Sequence, residues 1–278
     1  MRSLRGTLLF VPLCEIYGTI LLMNKIPVFL LLCASLFFGC VKDNVSPTLE
    51  KGVLSVGVEI GYPPMEYYGA DGELLGFDVD LVKALAEKLE LRVVFFDTAW
   101  DGILAGLDAN RYDIAVNVTI LPERQNNYNF TKPYINSFMT MVTRKDSWVK
   151  ISKAEDIAGV NAAFQGNTTA QYFAERLNDQ GIRFTSFSYD KIINCFNDLK
   201  LGRVDLVIVD NIVAFYYAEM ENSGLQVAWA QPDDSSDELI GICLKKGNDR
   251  LTRMINKALD ELTADGTVGE ILRRYFGR

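Results

Sequence analysis

From Lys51 onward, short apolar runs alternate with stretches in which apolar residues recur every three or four positions. The runs predict strands near residues 53–58, 92–97, 112–116, 136–144, 158–164, 204–209 and 239–245. The periodic stretches predict helices near 77–90, 101–109, 168–178, 190–200, 211–220, 248–263 and 267–276, with Leu81, Leu85 and Leu89 marking one buried face. Short strands interleaved with amphipathic helices predict an α/β fold.

One pattern occurs twice. Arg111-Tyr112-Asp113-Ile114-Ala115-Val116-Asn117 is matched further on by Arg203-Val204-Asp205-Leu206-Val207-Ile208-Val209-Asp210, and each copy follows a helical pattern and a turn residue, Asn110 or Gly202. The echo predicts two similar lobes. In each copy an apolar strand ends on a side chain that can hydrogen-bond, Asn117 or Asp210. Ligands of open α/β sheets bind at the carboxyl ends of strands.

Residues 1–40 follow a different pattern, with apolar runs at 7–13 and 26–38 and only Arg2, Arg5, Glu15 and Lys25 as charges. Neither run reaches the roughly 20 apolar residues that span a bilayer. Lys25, the apolar run and Gly39-Cys40 before polar Lys42-Asp43-Asn44 read as a bacterial lipoprotein signal. Cys40 is then the lipidated residue and Met23 a better start than Met1, while a simply cleaved signal or a membrane anchor is the alternative.

Composition narrows the chemistry. The 278 residues contain no histidine, which excludes Ser-His-Asp and Cys-His catalysis, a His general base and His-ligated zinc. The net charge of -8, with no basic cluster beyond Lys245-Lys246 and Arg273-Arg274, argues against nucleic-acid binding. Walker loops, clustered cysteines and EF-hand loops are missing from the sequence, so neither a metal nor a cofactor is expected. Cys195 and Cys243 sit among apolar neighbours and are expected as buried free thiols.

Six segments in order carry a family resemblance: Val56-Gly57-Val58-Glu59-Ile60-Gly61-Tyr62-Pro63-Pro64-Met65-Glu66, Gly76-Phe77-Asp78-Val79-Asp80-Leu81, Trp100-Asp101-Gly102-Ile103, Thr119-Ile120-Leu121-Pro122-Glu123-Arg124, Gly202-Arg203-Val204-Asp205 and Ala264-Asp265-Gly266-Thr267. The chain resembles the type 3 extracytoplasmic solute-binding proteins, the amino-acid receptors of bacterial uptake systems, from about Gly52 to Gly277. That resemblance implies a two-lobed periplasmic-binding-protein-like type II fold with the ligand cleft between lobes joined by two hinge strands. It assigns residues 49–136 and 239–278 to lobe 1 and 137–238 to lobe 2, with crossings near 136–144 and 239–245. It further implies an amino-acid ligand, delivery to an ABC transporter permease, a monomer, and a periplasmic or cell-surface location with the membrane reached through the lipid anchor.

The same resemblance implies the ligand-binding residues. Arg124 would grip the α-carboxylate with its guanidinium fork, helped by Thr168 and the turn at residues 165–168. Asp210 would take the α-ammonium, with Asn117 and Thr119 completing its acceptors, and Asp210 also suits a helix N-cap for 211–220. Tyr62, Trp100, Glu59 and Phe164 would surround the ligand's side chain. Aromatic faces beside a carboxylate favour a basic ligand, with polar side chains next. The same fold also includes cyclohexadienyl and arogenate dehydratases, which need a buried general acid. Glu59 is the one obvious candidate for that alternative.

Overall fold

The computed structural model describes residues 46–220, 222–232 and 238–277. The expectations for residues 1–40, including lipidation of Cys40, lie outside the described residues. The chain is an α/β protein of two lobes, each built on its own sheet.

The first sheet has the order Arg92–Asp97, Val53–Val58, Ile114–Thr119, Glu238–Lys245, Tyr128–Phe130. Its first three strands run parallel, and the return strand Glu238–Lys245 pairs antiparallel with Ile114–Thr119, Tyr128–Phe130 and the short strand Ile135–Ser137. Alternation along Val53–Val58 sends Leu54, Val56 and Val58 into one core with Leu81, Leu85 and Leu259. The opposite face carries Gly57, against which the Tyr112 ring lies so closely that a Cβ there would come within 2.4 Å of it. Tyr112 packs with Ile103, Leu107 and Cys243 in a separate core on that face.

The second sheet has the order Thr185–Tyr189, Asn161–Gln165, Leu206–Asp210, Met139–Arg144, Leu225–Ala230. One face packs Met139, Met141, Phe164, Leu206 and Ile208 against Phe173 of helix Thr169–Asp179. The other packs Val142, Val207 and Val209 against Phe196 and Val213 of helices Ile192–Lys200 and Asn211–Glu219. The chain passes from the first sheet at Ser137 to the second at Met139, and belongs to the first again from Glu238.

The sequence echo has a structural counterpart. Asp113 donates its backbone N–H to the Ser55 carbonyl at 3.0 Å and accepts from the Ser55 N–H on Oδ2 at 2.9 Å. Asp205 does the same to Asn161, with both bonds at 2.8 Å. In each lobe the aspartate that opens the repeated strand clasps the neighbouring parallel strand near its start.

Most expected elements are present, with shifted ends that have local causes. The first helix spans Phe77–Lys88 and stops early because Glu90 adopts a left-handed φ of 56°. Gly76, with φ 138°, precedes it because a Cβ there would sit 2.0 Å from the Met65 carbonyl oxygen. The expected strand 112–116 lies at Ile114–Thr119, where Tyr112 is spent on packing and Asp113 on the clasp. Strands Tyr128–Phe130, Thr185–Tyr189 and Leu225–Ala230 have no counterpart among the expected elements.

Cys195 and Cys243 are both buried and free. Burial raises both thiols, Cys243 to about 12, so they are inert packing groups.

Candidate functional site

The carboxyl ends of the central strands of both sheets meet at one cavity of about 40 Å³, room for roughly three water molecules. It is lined by Glu59, Tyr62, Trp100, Asn117, Thr119, Arg124, Thr168 and Asp210 from the expected set, and by Glu66, Ser137, Gln165, Thr169 and Glu238 in addition. Phe164 is the exception. It is 4% exposed and packs into the apolar core beside Phe173, because alternation in Asn161–Gln165 turns the adjacent Gln165 to the cleft instead.

On the first lobe, Ile114–Thr119 delivers Asn117 and Thr119. Asn117 adopts a left-handed φ of 56°, its N–H donates to the Tyr134 hydroxyl at 2.9 Å, and its side chain reaches Glu66 at 3.5 Å. Arg124 lies in the short helix Pro122–Asn127, whose N-cap position holds Leu121 and therefore has no side-chain cap. The Arg124 side chain folds inward, 8% exposed, with Nη1 donating to the Thr119 carbonyl at 3.1 Å and Cζ 5.5 Å from the Trp100 ring centroid. One carbonyl and one aromatic face leave most of the guanidinium's five donors for another acceptor.

On the second lobe, Asp210 ends its strand and caps the following helix, with Oδ1 accepting from the N–H groups of Ile212 at 2.9 Å and Val213 at 3.0 Å. Thr168 sits at the start of helix Thr169–Asp179, but its hydroxyl donates back to the Gln165 carbonyl at 2.7 Å and does not cap the helix.

Several hydrogen bonds join the lobes around the cavity. The Tyr62 hydroxyl donates to Asp210 Oδ2. Gln165 Nε2 donates to both Glu59 oxygens at 2.9 and 2.8 Å, and Trp100 Nε1 donates to the Asn167 carbonyl at 2.8 Å. Asn167 Nδ2 donates to Asp101 at 2.9 Å, and the Thr169 hydroxyl to Glu238 Oε2 at 2.8 Å. Entry of a solute requires these contacts to part.

Carboxyls dominate the lining, with Glu59, Glu66, Asp210 and Glu238 against the single cation Arg124. Burial raises the pKa of all four, and Asp210 pushes Glu238 further, to about 7. Behind Glu66 lies Asp78, fully buried and raised to about 7 by burial, and its presence drives Glu66 higher still. The two carboxyls act on each other, and buried groups of this kind disfavour ionising together, which favours one proton shared by the pair. Among the described residues no three acidic or cysteine groups converge to hold a metal ion.

The residues missed by sequence reasoning fall into two groups. Gln165 ends an apolar strand just as Asp210 does, and the rule that selected Asp210 selects it as well. Glu66, Ser137 and Glu238 become visible only once the lobes are assembled.

Residues 54–278 match the model of the bacterial extracellular solute-binding proteins, family 3. The chain belongs to this family. It is 34% identical over 229 residues to the L-cystine-binding protein TcyJ of Escherichia coli strain K12, covering 82% of this chain and 84% of that protein. It is 32% identical over 226 residues to the ABC transporter arginine-binding protein 1 of the same strain, covering 80% and 90% respectively. Among solved structures, an ancestral arginine-binding protein bound to arginine superposes with a TM-score of 0.76 at 33% identity, covering 81% of this chain and 99% of that one. The relatives are binding proteins rather than enzymes, and this family member is an extracellular solute-binding protein of bacteria.

Proposed function

We propose that this solute-binding protein captures a free α-amino acid between its lobes and presents it, closed, to an ABC transporter permease. The observation that carries the reading is the pairing of Arg124 on one lobe with Asp210 on the other across a single cavity. A guanidinium fork suits an α-carboxylate, and a carboxylate suits an α-ammonium, so a zwitterion bridges the lobes and favours closure. Thr168 and the 165–168 turn support the carboxylate, and Asn117 and Thr119 the ammonium. Tyr62, Trp100 and Glu59 meet the side chain.

Charge selects among amino acids. With four lining carboxyls, one of them sharing its proton, the cavity favours a ligand of net positive charge such as arginine, lysine or ornithine. A cystine ligand would bring a second carboxylate for which the lining has no second cation. The dehydratase alternative is weaker, because both oxygens of Glu59 accept from Gln165 and point no proton at a substrate.

On this reading residues 49–136 and 239–278 form lobe 1 and 137–238 lobe 2, except that Ser137 and Glu238 pair with each other in the first sheet and so go with lobe 1. The mature protein is a monomer held to a bacterial membrane by lipid on Cys40, in the periplasm or at the cell surface. A thermal-shift screen of purified protein against the twenty amino acids, ornithine and cystine tests the core of it. A ligand at 100 times its Kd stabilises by about 2.7 kcal/mol. Stabilisation by basic amino acids supports the reading, whereas turnover of prephenate or arogenate with no amino-acid shift replaces it with the enzyme.

A further inference from the structure

The two strands that carry the chain between lobes are more than hinges. Glu238 opens the return strand and is directly paired with Ser137 of the antiparallel strand Ile135–Ser137. Side chains of directly paired residues share a face, and here both line the ligand cavity. The Ser137 side chain is 1% exposed, and its hydroxyl has no hydrogen-bond partner. A buried, unpaired hydroxyl on a residue that lines a cavity is an unused donor and acceptor.

The neighbouring charges indicate what this pair meets. Arg124, Asp210 and Glu238 line the same cavity, and both charged partners act on the Glu238 carboxyl, so Glu238 is among the groups that the amino-acid head would meet. The group adjoining an α-carboxylate in every α-amino acid is its ammonium, which has three N–H donors to satisfy. Asp210 shares them with Asn117 and Thr119, and these acceptors are already drawn on: Asp210 Oδ1 accepts from two backbone N–H groups and Oδ2 from Tyr62, the Asn117 side chain is turned to Glu66, and the Thr119 carbonyl accepts from Arg124. Glu238 is engaged on Oε2 by one neutral donor, the Thr169 hydroxyl.

We infer that Glu238 and Ser137, one from each crossing strand, belong to the ligand site and hold the α-ammonium together with Asp210. The inference rests on the amino-acid reading above and adds two specificity-determining residues to it. It makes the crossings part of the binding surface, so that ligand contact and hinge position are set by the same residues.

The test titrates each of the twenty amino acids, ornithine and cystine into purified wild-type protein by calorimetry, then titrates the tightest binder into Glu238→Gln and Ser137→Ala. Glutamine keeps an oxygen for Thr169, so this substitution removes the charge and retains the lobe contact. The expected result is an affinity at least tenfold weaker in Glu238→Gln and a few-fold weaker in Ser137→Ala. The desamino acid with the same side chain is expected to bind wild type and Glu238→Gln alike. Affinity for the amino acid within twofold of wild type in Glu238→Gln overturns the assignment and leaves the receptor reading intact. Equal weakening of the amino acid and the desamino acid also overturns it, since Glu238 then acts on closure and not on the ammonium. Wild-type protein that binds none of the amino acids removes the receptor reading itself, and this inference with it.

Discussion

The hydroxyl of Tyr62 on one lobe donates a hydrogen bond to the Asp210 carboxylate on the other. Burial and the adjacent carboxylate raise the Tyr62 pKa well above that of an ordinary phenol, so it remains a donor at any physiological pH. Asp210 is held from behind by two backbone N–H groups, which leaves Tyr62 as the partner that moves with lobe opening.

Tyr62→Phe keeps the aromatic face and removes this bond. A hydrogen bond to a charged group contributes about 1.5–3 kcal/mol, enough to shift a two-state equilibrium about tenfold or more toward the open form. Small-angle scattering of ligand-free protein is expected to give a larger radius of gyration for the variant. An unchanged radius would mean that the bond does not govern closure.

Arg124 is the one cation lining the cavity. Arg124→Ala is expected to weaken amino-acid binding by about 2–5 kcal/mol, the range for truncating one partner of a buried charge pair. Arg124→Lys should restore only part of that, because a point charge lacks the two-pronged geometry. Calorimetry on the three proteins checks the order, and full recovery in the lysine variant would rule out a bidentate grip.

The Glu66–Asp78 pair makes stability depend on pH. In the unfolded chain both carboxyls ionise near pH 4, whereas in the folded protein Asp78 is raised to about 7 and Glu66 is raised well above its ordinary value by burial and by Asp78. The folded state therefore keeps protons that the unfolded state has lost, and the contribution is fully present below about pH 4 and disappears as pH rises through 7. Asp156, Asp198 and Asp265, whose pKa values are lowered by hydrogen bonds, act in the opposite sense only below their ordinary range. Thermal unfolding midpoints are expected to fall between pH 5 and pH 7.5, with a flatter profile for Glu66→Gln combined with Asp78→Asn. A steeper fall in the double variant would contradict the shared proton.

Gly76→Ala forces a Cβ to within 2.0 Å of the Met65 carbonyl oxygen at a φ of 138°. Backbone strain alone costs on the order of 1–3 kcal/mol, and here a collision adds to it. Urea denaturation should show a loss of at least about 2 kcal/mol, and a smaller loss would show that the 65–76 segment relaxes around the new methyl.

The fold was legible wherever burial imposed a period. Val53–Val58 is buried along its whole length and matches its expected bounds, and Arg92–Asp97, half-buried at its centre and exposed at its ends, matches its own. Thr185–Tyr189 was not legible because it is an edge strand with four exposed residues, held by pairing to Asn161–Gln165 and not by its own apolar pattern. Within the site, Arg124 and Asp210 were reached through motifs and strand ends. Phe164 was misread because a large apolar residue one place before a strand's end suits a pocket and a core equally, and only the register of the sheet separates the two. Ser137 and Glu238 lie about a hundred residues apart, and nothing near either of them along the chain indicates that they pair.

All five strands of the second sheet lie between residues 139 and 230, whereas the first sheet needs both Val53–Val58 and the much later Glu238–Lys245. A chain that emerges amino-terminus first therefore holds every strand of one sheet before it can complete the other. The three strands made earliest must wait, with Ile114–Thr119 unpaired on the side that the return strand will occupy. Long-range pairing of this kind is slow and leaves an edge open to other chains. The return strand near the end of the chain thus decides when that open edge is closed and the first sheet complete.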